Sequence, residues 1–463
     1  MLLLYSNRHE LDFMAKQNSP LVLGTERISL LLKQYALPAI VAMTASSLYN
    51  IADSVFIGHG VGPLAIAGLA LTFPLMNLAA AFGSLVGVGA STSVSVKLGQ
   101  KDYEGANKVL GNVFVLNLIL GILFTFVFLV TLDPMLYFFG ASEQTISYAR
   151  DYMRIILYGN VITHMYLGLN AVLRSSGFPK LAMYATLASV IINCLLNPIF
   201  IFGFGWGIKG SAWATIASQV ISLTGQFIHF SNPKQLLHFQ KGIYRLKKEL
   251  IEGILAIGMS PFLMNICSCL IIILINRGLK EYGGDMAIGA YGIVNRITFL
   301  FVMIIMGLNQ GMQPIAGYNF GARLYPRVTE VTLLTMKCAI GVATIGFLLA
   351  QFVPHMLVRV FTTDKELTEA AVYGLHIVFI IFPVVGFQMV ATNFFLAIGQ
   401  SKKAIFLSLT RQALFLIPCL IILPQFLGTF GIWISIPIAE FIAASVTAIV
   451  LINQFKKFKQ VQF

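Results

Sequence analysis

The chain has 463 residues, of which 57% are hydrophobic and only 11% are charged, and its mean hydropathy is +0.83. Soluble domains carry about 25% charged residues, so this composition excludes an ordinary soluble protein and predicts an all-α polytopic membrane protein. The formal net charge of +13 does not indicate nucleic-acid binding, because the basic residues are scattered over short loops. We expect the lipid bilayer, and no nucleic acid, as a partner.

Twelve apolar segments follow one another along the chain, each long enough to cross a bilayer as a helix. They cover residues 35–58, 68–96, 109–131, 152–173, 181–204, 209–229, 251–276, 286–315, 328–352, 369–397, 404–424 and 430–453. Residues 25–34 have the pattern of a short amphipathic helix that lies on the membrane before the first span. The longest polar stretch, 230–250, divides the spans into two sets of six.

These segments divide the chain into five parts. They are a tail with an interfacial helix at 1–34, a first lobe at 35–229, a basic linker at 230–250, a second lobe at 251–453 and a tail at 454–463. The loops on the side of the linker and of both termini carry about three basic residues for each one on the opposite side. The positive-inside rule therefore predicts that both termini are cytoplasmic.

The two lobes repeat each other in sequence at a shift of 222 residues. This shift places Gly89 on Gly311 and Gly99 on Gly321. Because each lobe has an even number of spans, both have the same orientation, and we expect a pseudo-two-fold axis along the membrane normal. Two matched lobes around one cavity favour a secondary transporter over a duplicated scaffold with no transport role.

Polar residues in the first lobe form a candidate ion site. Asp53 lies in the first span, about five residues from its outer end, and an ionisable group there costs roughly 2.5 kcal/mol or more unless it is hydrated at the membrane edge. Asn193 and Asn197 share one face of the fifth span, and Thr215 lies at a similar depth in the sixth. Such oxygen ligands suit a hard cation, although the amides could instead join helices by hydrogen bonds.

The second lobe carries charged residues of its own inside spans. Glu440 lies near the middle of the twelfth span, and it either binds a cationic cargo or pairs with Arg411 or Arg296. A shift of 221 residues aligns Glu440 with Gln219, so these four residues are candidates for a substrate cavity. No acid of the second lobe corresponds to Asp53, and any ion site is therefore expected in the first lobe.

Three stretches resemble one family of transporters. GLNQGMQPIAGYNFGAR (Gly307 to Arg323) closely resembles the signature of the multidrug and toxic compound extrusion (MATE) transporters. GVGASTSVSVKLGQKDYEGA (Gly87 to Ala106) and NCLLNPIFIFG (Asn193 to Gly203) also fit, as does the context of Asp53. The resemblance covers about residues 30–453 and is greatest for the bacterial branch of Mep-type drug exporters. It implies twelve helices in a V of two lobes and export of bulky cationic drugs and dyes by antiport with Na⁺ or H⁺.

The resemblance also implies a role for the polar residues of the first lobe. Asp53, Asn193, Asn197 and Thr215 match positions of the family's cation site, with Asp53, Asn193 and Asn197 as ligands if sodium is the coupling ion. Relatives often carry an aspartate where this chain has Asn197; the amide removes one charge, which weakens Na⁺ binding and leaves H⁺ coupling open. We expect no cofactor, no enzymatic activity and a monomer in a bacterial inner membrane.

Other functions are less consistent with the sequence. It contains no GxxxxGK[ST], HExxH or GxSxG motif, which disfavours an ATP-driven pump, a membrane protease and an esterase. A flippase for lipid-linked saccharides or other lipid cargo is the main alternative, and Arg296 and Arg411 keep it open because pyrophosphate cargo needs a basic cavity. A channel or a membrane scaffold is a further alternative: a channel would conduct without counter-ion dependence, and a scaffold would move nothing.

Overall fold

The structure is a computed structural model that describes residues 20–460, except for the side chains at positions 20, 21, 50, 51, 63 and 285. The outer parts of the two predicted tails, 1–19 and 461–463, lie outside the described residues. The α-helices are α1 Ile28–Gly60, α2 Pro63–Gly99, α3 Tyr103–Val130, α4 Leu132–Phe138, α5 Ile146–Tyr158, α6 Asn160–Ser175, α7 Pro179–Pro198, α8 Ile208–Phe230, α9 Lys248–Gly321, α10 Tyr325–Phe352, α11 Pro354–Arg359, α12 Lys365–Phe379, α13 Phe382–Ala397, α14 Ser401–Leu409 and α15 Ile417–Gln460. Shorter helical pieces are a 3₁₀ turn at Pro20–Gly24 and π-helical turns at Ile199–Gly203 and Thr410–Leu416.

Breaks and bends convert these helices into twelve crossings. α9 is broken at Gly284, whose φ of 67° is non-helical, so it forms two spans. With these two counted separately, eight helices of the described chain are long and apolar enough to span a membrane, or ten if the bent pairs α5–α6 (55°) and α12–α13 (52°) each count as one span. α15 is broken at Gly428, whose φ of 57° is non-helical, and this break divides one long apolar stretch into two spans. α8 matches the predicted sixth span and completes the set of twelve; its serine and threonine side chains lower its hydropathy. The predicted all-α architecture of twelve spans agrees with this count.

The first span begins earlier than predicted. α1 runs unbroken from Ile28 to Gly60, so no separate interfacial helix exists at 25–34, and that prediction is corrected. The physical reason is burial: the apolar face of this segment, Ile28, Leu31 and Leu32, is buried in the main hydrophobic core of the protein.

The hydrophobic core shows where the two lobes meet. We call the side of the bundle that holds Ile28 and Gln460 the terminal side. The main core runs through the second lobe and the terminal half of the first lobe, whereas a smaller cluster, which includes Ile57, Leu75 and Ile216, belongs to the first lobe alone at the opposite side. The lobes therefore share one core on the terminal side only.

Glycines allow the helices of the two lobes to cross closely on the terminal side. A Cβ atom on Gly89 of α2 would lie 1.9 Å from the carbonyl oxygen of Ile254 in α9, and one on Gly258 would lie 1.7 Å from that of Leu85. At each of these glycines, the backbone of the other helix occupies the space that a side chain would fill. Small residues permit this approach, in which dispersion and weak C–H···O contacts replace side-chain packing.

Hydrogen bonds between the lobes also lie on the terminal side. The amide of Gln313 donates to the hydroxyl of Thr92 at 2.8 Å, and the guanidinium of Arg327 donates to the carbonyl oxygens of Leu23 and Glu26 at 3.1 and 2.5 Å. These contacts join α2 and the segment before α1 to α9 and α10. The structure is therefore closed on the terminal side.

The linker between the lobes is folded onto α3. The Asn107 side chain donates to the carbonyl oxygen of Leu236 at 3.1 Å and accepts from the N–H of His238 at 3.0 Å. The buried side chain of Asn112 accepts from the N–H of Lys247 at 3.1 Å, one residue before α9 begins, and donates to the carbonyl oxygen of Arg245 at 3.2 Å. Two asparagines therefore hold the linker to the first lobe along most of its length.

We expect Gly258→Ala to destabilise the closed terminal side, because its methyl group would overlap the Leu85 carbonyl. Overpacking of this kind costs about 1–3 kcal/mol. Thermal unfolding in detergent measures the effect, and Gly253→Ala on the same helix is the matched control, since nothing lies within 4 Å of a Cβ at Gly253. Equal melting temperatures for the two variants would contradict the close crossing.

Candidate functional site

Asp53 lies inside the first lobe, where donors from two other helices bind it. Its side chain belongs to α1 and is only 5% exposed. The amide of Asn197 in α7 donates to Asp53 Oδ1 at 3.1 Å, and the hydroxyl of Ser211 in α8 donates to the same oxygen. This placement rules out a carboxylate hydrated at the membrane edge.

The other predicted site residues continue from Asp53 in one chain of hydrogen bonds. Asn197 Nδ2 also donates to Asn193 Oδ1 at 2.7 Å, and Asn193 Nδ2 donates to Thr215 Oγ1 at 3.2 Å. The Tyr49 hydroxyl lies 2.8 Å from Thr215 Oγ1. The structure thus brings Asp53, Asn193, Asn197 and Thr215 together, as their helical depths predict.

Helical periodicity explains how α7 and α8 present these groups. Residues four apart lie on the same helix face. Asn193 and Asn197 therefore share one face of α7, and Ser211 and Thr215 share one face of α8. The two faces meet, and the Asn193 amide of α7 donates to the Thr215 hydroxyl of α8. Pro198 ends the regular part of α7 because it has no N–H, and the π-helical turn Ile199–Gly203 follows. The chain therefore changes from α-helix to π-helix at this point.

The site offers few charges and several polar oxygens. Asn197 Oδ1 is buried and has no hydrogen-bond partner among the described residues, so it can accept from a proton carrier or bind a cation. Among residues 20–460, no group of three or more His, Cys, Asp or Glu side chains could hold a metal ion. One carboxylate among amides and hydroxyls can balance one positive charge, either a proton or a monovalent cation.

The four candidate cavity residues do not form one cluster. Arg411 Nη1 lies 3.4 Å from Glu440 Oε1 in the second lobe, with both side chains largely buried, so the charge of Glu440 is balanced by Arg411. Arg296 is exposed on α9. Gln219 belongs to α8 in the first lobe, where its Oε1 accepts from the Thr163 hydroxyl at 2.6 Å. Of the two pairings open to Glu440, the structure has the one with Arg411.

The sequence reasoning missed two members of the site, Ser211 and Tyr49. Each lies four residues, about one helical turn, before a predicted site residue: Ser211 before Thr215 and Tyr49 before Asp53. A search for polar residues four positions before or after each candidate would therefore have found both, because such residues share one helix face. Both were overlooked because serine and tyrosine are common in apolar helices for reasons of packing.

Known proteins resemble the chain over most of its length. A family model described as MatE matches residues 38–199 and 256–422, one segment in each lobe. The multidrug export protein MepA of Staphylococcus aureus strain MSSA476 is 29% identical over 417 residues, which is 89% of this chain and 90% of that protein. MepA of Staphylococcus haemolyticus strain JCSC1435 is 29% identical over 410 residues, with the same coverage.

Solved structures share the fold. An outward-facing conformation of a multidrug resistance MATE family transporter of the MOP superfamily has a TM-score of 0.88 at 25% identity and covers 95% of this chain and 98% of its own. A crystal structure of a MATE protein in the bent conformation has a TM-score of 0.90 at 24% identity and covers 96% and 98%. These structures have twelve transmembrane helices in two lobes, which confirms the predicted architecture.

We expect Asn197→Asp to strengthen Na⁺ binding about tenfold or more, because a second carboxylate would add a full charge to the site. A ligand that binds only the folded state raises its stability, so the measurement is the melting temperature in NaCl against choline chloride at equal ionic strength. Asn453→Asp, at an exposed position near the end of α15, is the control. A sodium response no larger than that of the wild type would show that the site is not an oxygen cage for a metal ion.

Proposed function

Because the chain belongs to the multidrug and toxic compound extrusion family, whose members are transporters rather than enzymes, we propose that it exports organic, cationic and amphipathic compounds by antiport. The carrying observation is Asp53, a carboxylate buried in a membrane-spanning lobe and bound by an amide and a hydroxyl rather than by a basic side chain. An ionised group in such a place is costly unless a positive charge joins it. A site of this kind takes up and releases one cation per cycle.

We propose the proton rather than Na⁺ as the coupling ion. Asn197 and Ser211 both direct a hydrogen toward Asp53 Oδ1, and donors on a carboxylate oxygen compete with a metal ion for its lone pairs. The absence of a second acid at position 197 points the same way. Asp53, Asn193, Asn197 and Thr215 then act as a proton site whose neutral residues set how readily Asp53 ionises. Sodium as the coupling ion is the alternative.

The direction of transport follows from the distribution of charge. The terminal side carries the excess of basic residues, and we assign it to the cytoplasm of a bacterial cell, in whose inner membrane the chain acts as a monomer. The closed terminal side then leaves the space between the lobes open to the outside. A proton from outside neutralises Asp53, which weakens the attraction for a cationic compound and favours its release. After the lobes reverse, Asp53 loses the proton to the cytoplasm and attracts the next molecule.

The pairing of Glu440 with Arg411 bears on the lipid-flippase alternative. A pyrophosphate cargo requires several uncompensated basic groups. Arg411 is already bound to Glu440, which leaves Arg296 as the one predicted cavity arginine without an ion pair among the described residues. The charge balance therefore favours cationic over anionic cargo. Small organic drugs and dyes are the expected substrates.

We expect Asp53→Asn to abolish gradient-driven export, because an amide cannot take up and release a proton. The measurement is accumulation of a fluorescent cationic dye in inside-out vesicles under a pH gradient and, separately, under a Na⁺ gradient. The gradient that drives the wild type identifies the coupling ion.

Asp133→Asn is the matched control for this experiment. Asp133 is half-exposed and binds Arg150 at 2.7 Å outside the site, so its loss leaves export intact. Undiminished export in Asp53→Asn would remove Asp53 from the mechanism. Dye movement that needs neither gradient would indicate a channel, and no dye movement by well-inserted wild type would favour a lipid flippase.

A further inference from the structure

The last part of the linker lies along α3 at the level where the apolar part of that helix begins. A Cβ atom on Gly111 would lie 2.3 Å from the carbonyl oxygen of Ile243, and Asn112 Nδ2 donates to the carbonyl oxygen of Arg245 at 3.2 Å. α3 starts at Tyr103 on the terminal side, and its apolar stretch begins six residues later. The linker therefore lies at the boundary between the lipid headgroups and the hydrocarbon on that side.

The side of α3 under the linker continues into a surface that meets lipid. Ile119, Leu123 and Phe126 follow Asn112 by seven, eleven and fourteen residues, and these spacings keep side chains on one side of a helix. Their exposed fractions are 46%, 54% and 69%. α3 packs against α2 and α6 of its own lobe, so this exposed apolar side faces the bilayer. The outer surface of the linker, at the terminal end of the same side, faces the headgroups.

Positions 244–248 of the linker combine exposed apolar and basic side chains, and we call them the interfacial patch. Tyr244 and Leu246 are 41% and 43% exposed. The Tyr244 ring packs edge-on against Phe114 in the apolar part of α3, with 5.8 Å between the ring centroids. Tyrosine is typical of the membrane interface, where its ring contacts acyl chains and its hydroxyl contacts water. The exposed basic side chains of the patch are Arg245, Lys247 and Lys248.

Acidic side chains near the interfacial patch leave most of its charge unbalanced. The linker contains no aspartate or glutamate before α9 begins. At the start of α3, Glu104 is already paired with Lys108. The first turns of α9 add Glu249 and Glu252, and Glu252 Oε1 lies 3.8 Å from Lys248 Nζ between two mostly exposed side chains. Such surface pairs are weak, and the other two basic groups of the patch form no ion pair with the described residues.

We propose that the interfacial patch binds the phosphate groups of anionic lipids in the leaflet on the terminal side. A guanidinium binds phosphate through two parallel hydrogen bonds, and an ammonium attracts it as a point charge. Tyr244 and Leu246 contact the acyl chains below the headgroup, which distinguishes a lipid from a soluble anion. Since Asn107 and Asn112 hold the linker in place, the patch is ordered before a lipid arrives, and this lowers the cost of binding. The proposal goes beyond the proposed function and holds for either coupling ion.

The test is a titration of the purified protein in detergent with phosphatidylglycerol, with phosphatidylcholine and inorganic phosphate in parallel. The measurement is the rise in melting temperature, because a ligand that binds the folded state stabilises it. We expect the triple variant Arg245→Gln, Lys247→Gln, Lys248→Gln to bind phosphatidylglycerol about tenfold or more weakly than the wild type. The triple variant Arg245→Lys, Lys247→Arg, Lys248→Arg, which keeps the charges, should bind it as the wild type does. Tyr244→Ser with Leu246→Ser should also weaken the binding, although every charge remains.

The matched control is the triple variant Lys456→Gln, Lys457→Gln, Lys459→Gln. It removes the same charge from exposed positions at the end of α15, also on the terminal side, and should bind phosphatidylglycerol as the wild type does. Equal losses in the two glutamine variants would overturn the interfacial patch, because binding would then follow total charge. Unchanged binding in the linker variant would overturn it as well. Inorganic phosphate that stabilises the wild type as strongly as phosphatidylglycerol would overturn the lipid as its ligand.

Discussion

The constraint with the largest consequences is a buried carboxylate, Asp53, that forms no ion pair with any basic side chain in the part of the chain that the structure describes. Asp53 accepts hydrogen bonds from Asn197 of α7 and Ser211 of α8. Asn197 also donates to Asn193, and the Thr215 hydroxyl donates to the backbone carbonyl of Ser211. Hydrogen bonds of this kind stabilise an ionised carboxylate, yet they do not replace the positive charge that a buried anion requires. The first lobe is therefore built around a group that is most stable when something mobile neutralises it.

The second lobe repeats the architecture but resolves its buried charge differently. Glu440 has Arg411 beside it, and the pair is internally neutral. The two lobes thus differ in whether the buried carboxylate has a basic side chain beside it. One contains a charge that must be balanced from outside the protein, and the other contains a charge already balanced from within.

The sequence predicted the fold well because membrane spans depend on local properties. Apolar length identified all twelve spans, and α8 was among them despite its serine and threonine content. The interfacial helix at 25–34 was misread since its apolar face could be covered either by lipid or by the other lobe, and periodicity does not distinguish the two. The depth of Asp53 and the four-residue spacing of Asn193 and Asn197 placed the centre of the site.

What the sequence could not supply were contacts between distant helices. Glu440 had two possible arginine partners, and only the packing of the π-helical turn Thr410–Leu416 against α15 selects Arg411. The same limit applies to Ser211, whose bond to Asp53 joins residues 158 positions apart. The closure of the terminal side could not be predicted from the sequence either. The close approach that Gly89 and Gly258 allow becomes apparent only in the crossing of α2 and α9.

The attachment of the linker to α3 has a mechanical consequence. A loop between two lobes is usually pictured as slack that lets them move independently. Here Asn107 and Asn112 fasten it to the first lobe as far as Lys247, and α9 begins at the next residue. The linker is therefore fixed to the first lobe up to the start of α9. A rotation of either lobe is transmitted to the other through the first turn of α9.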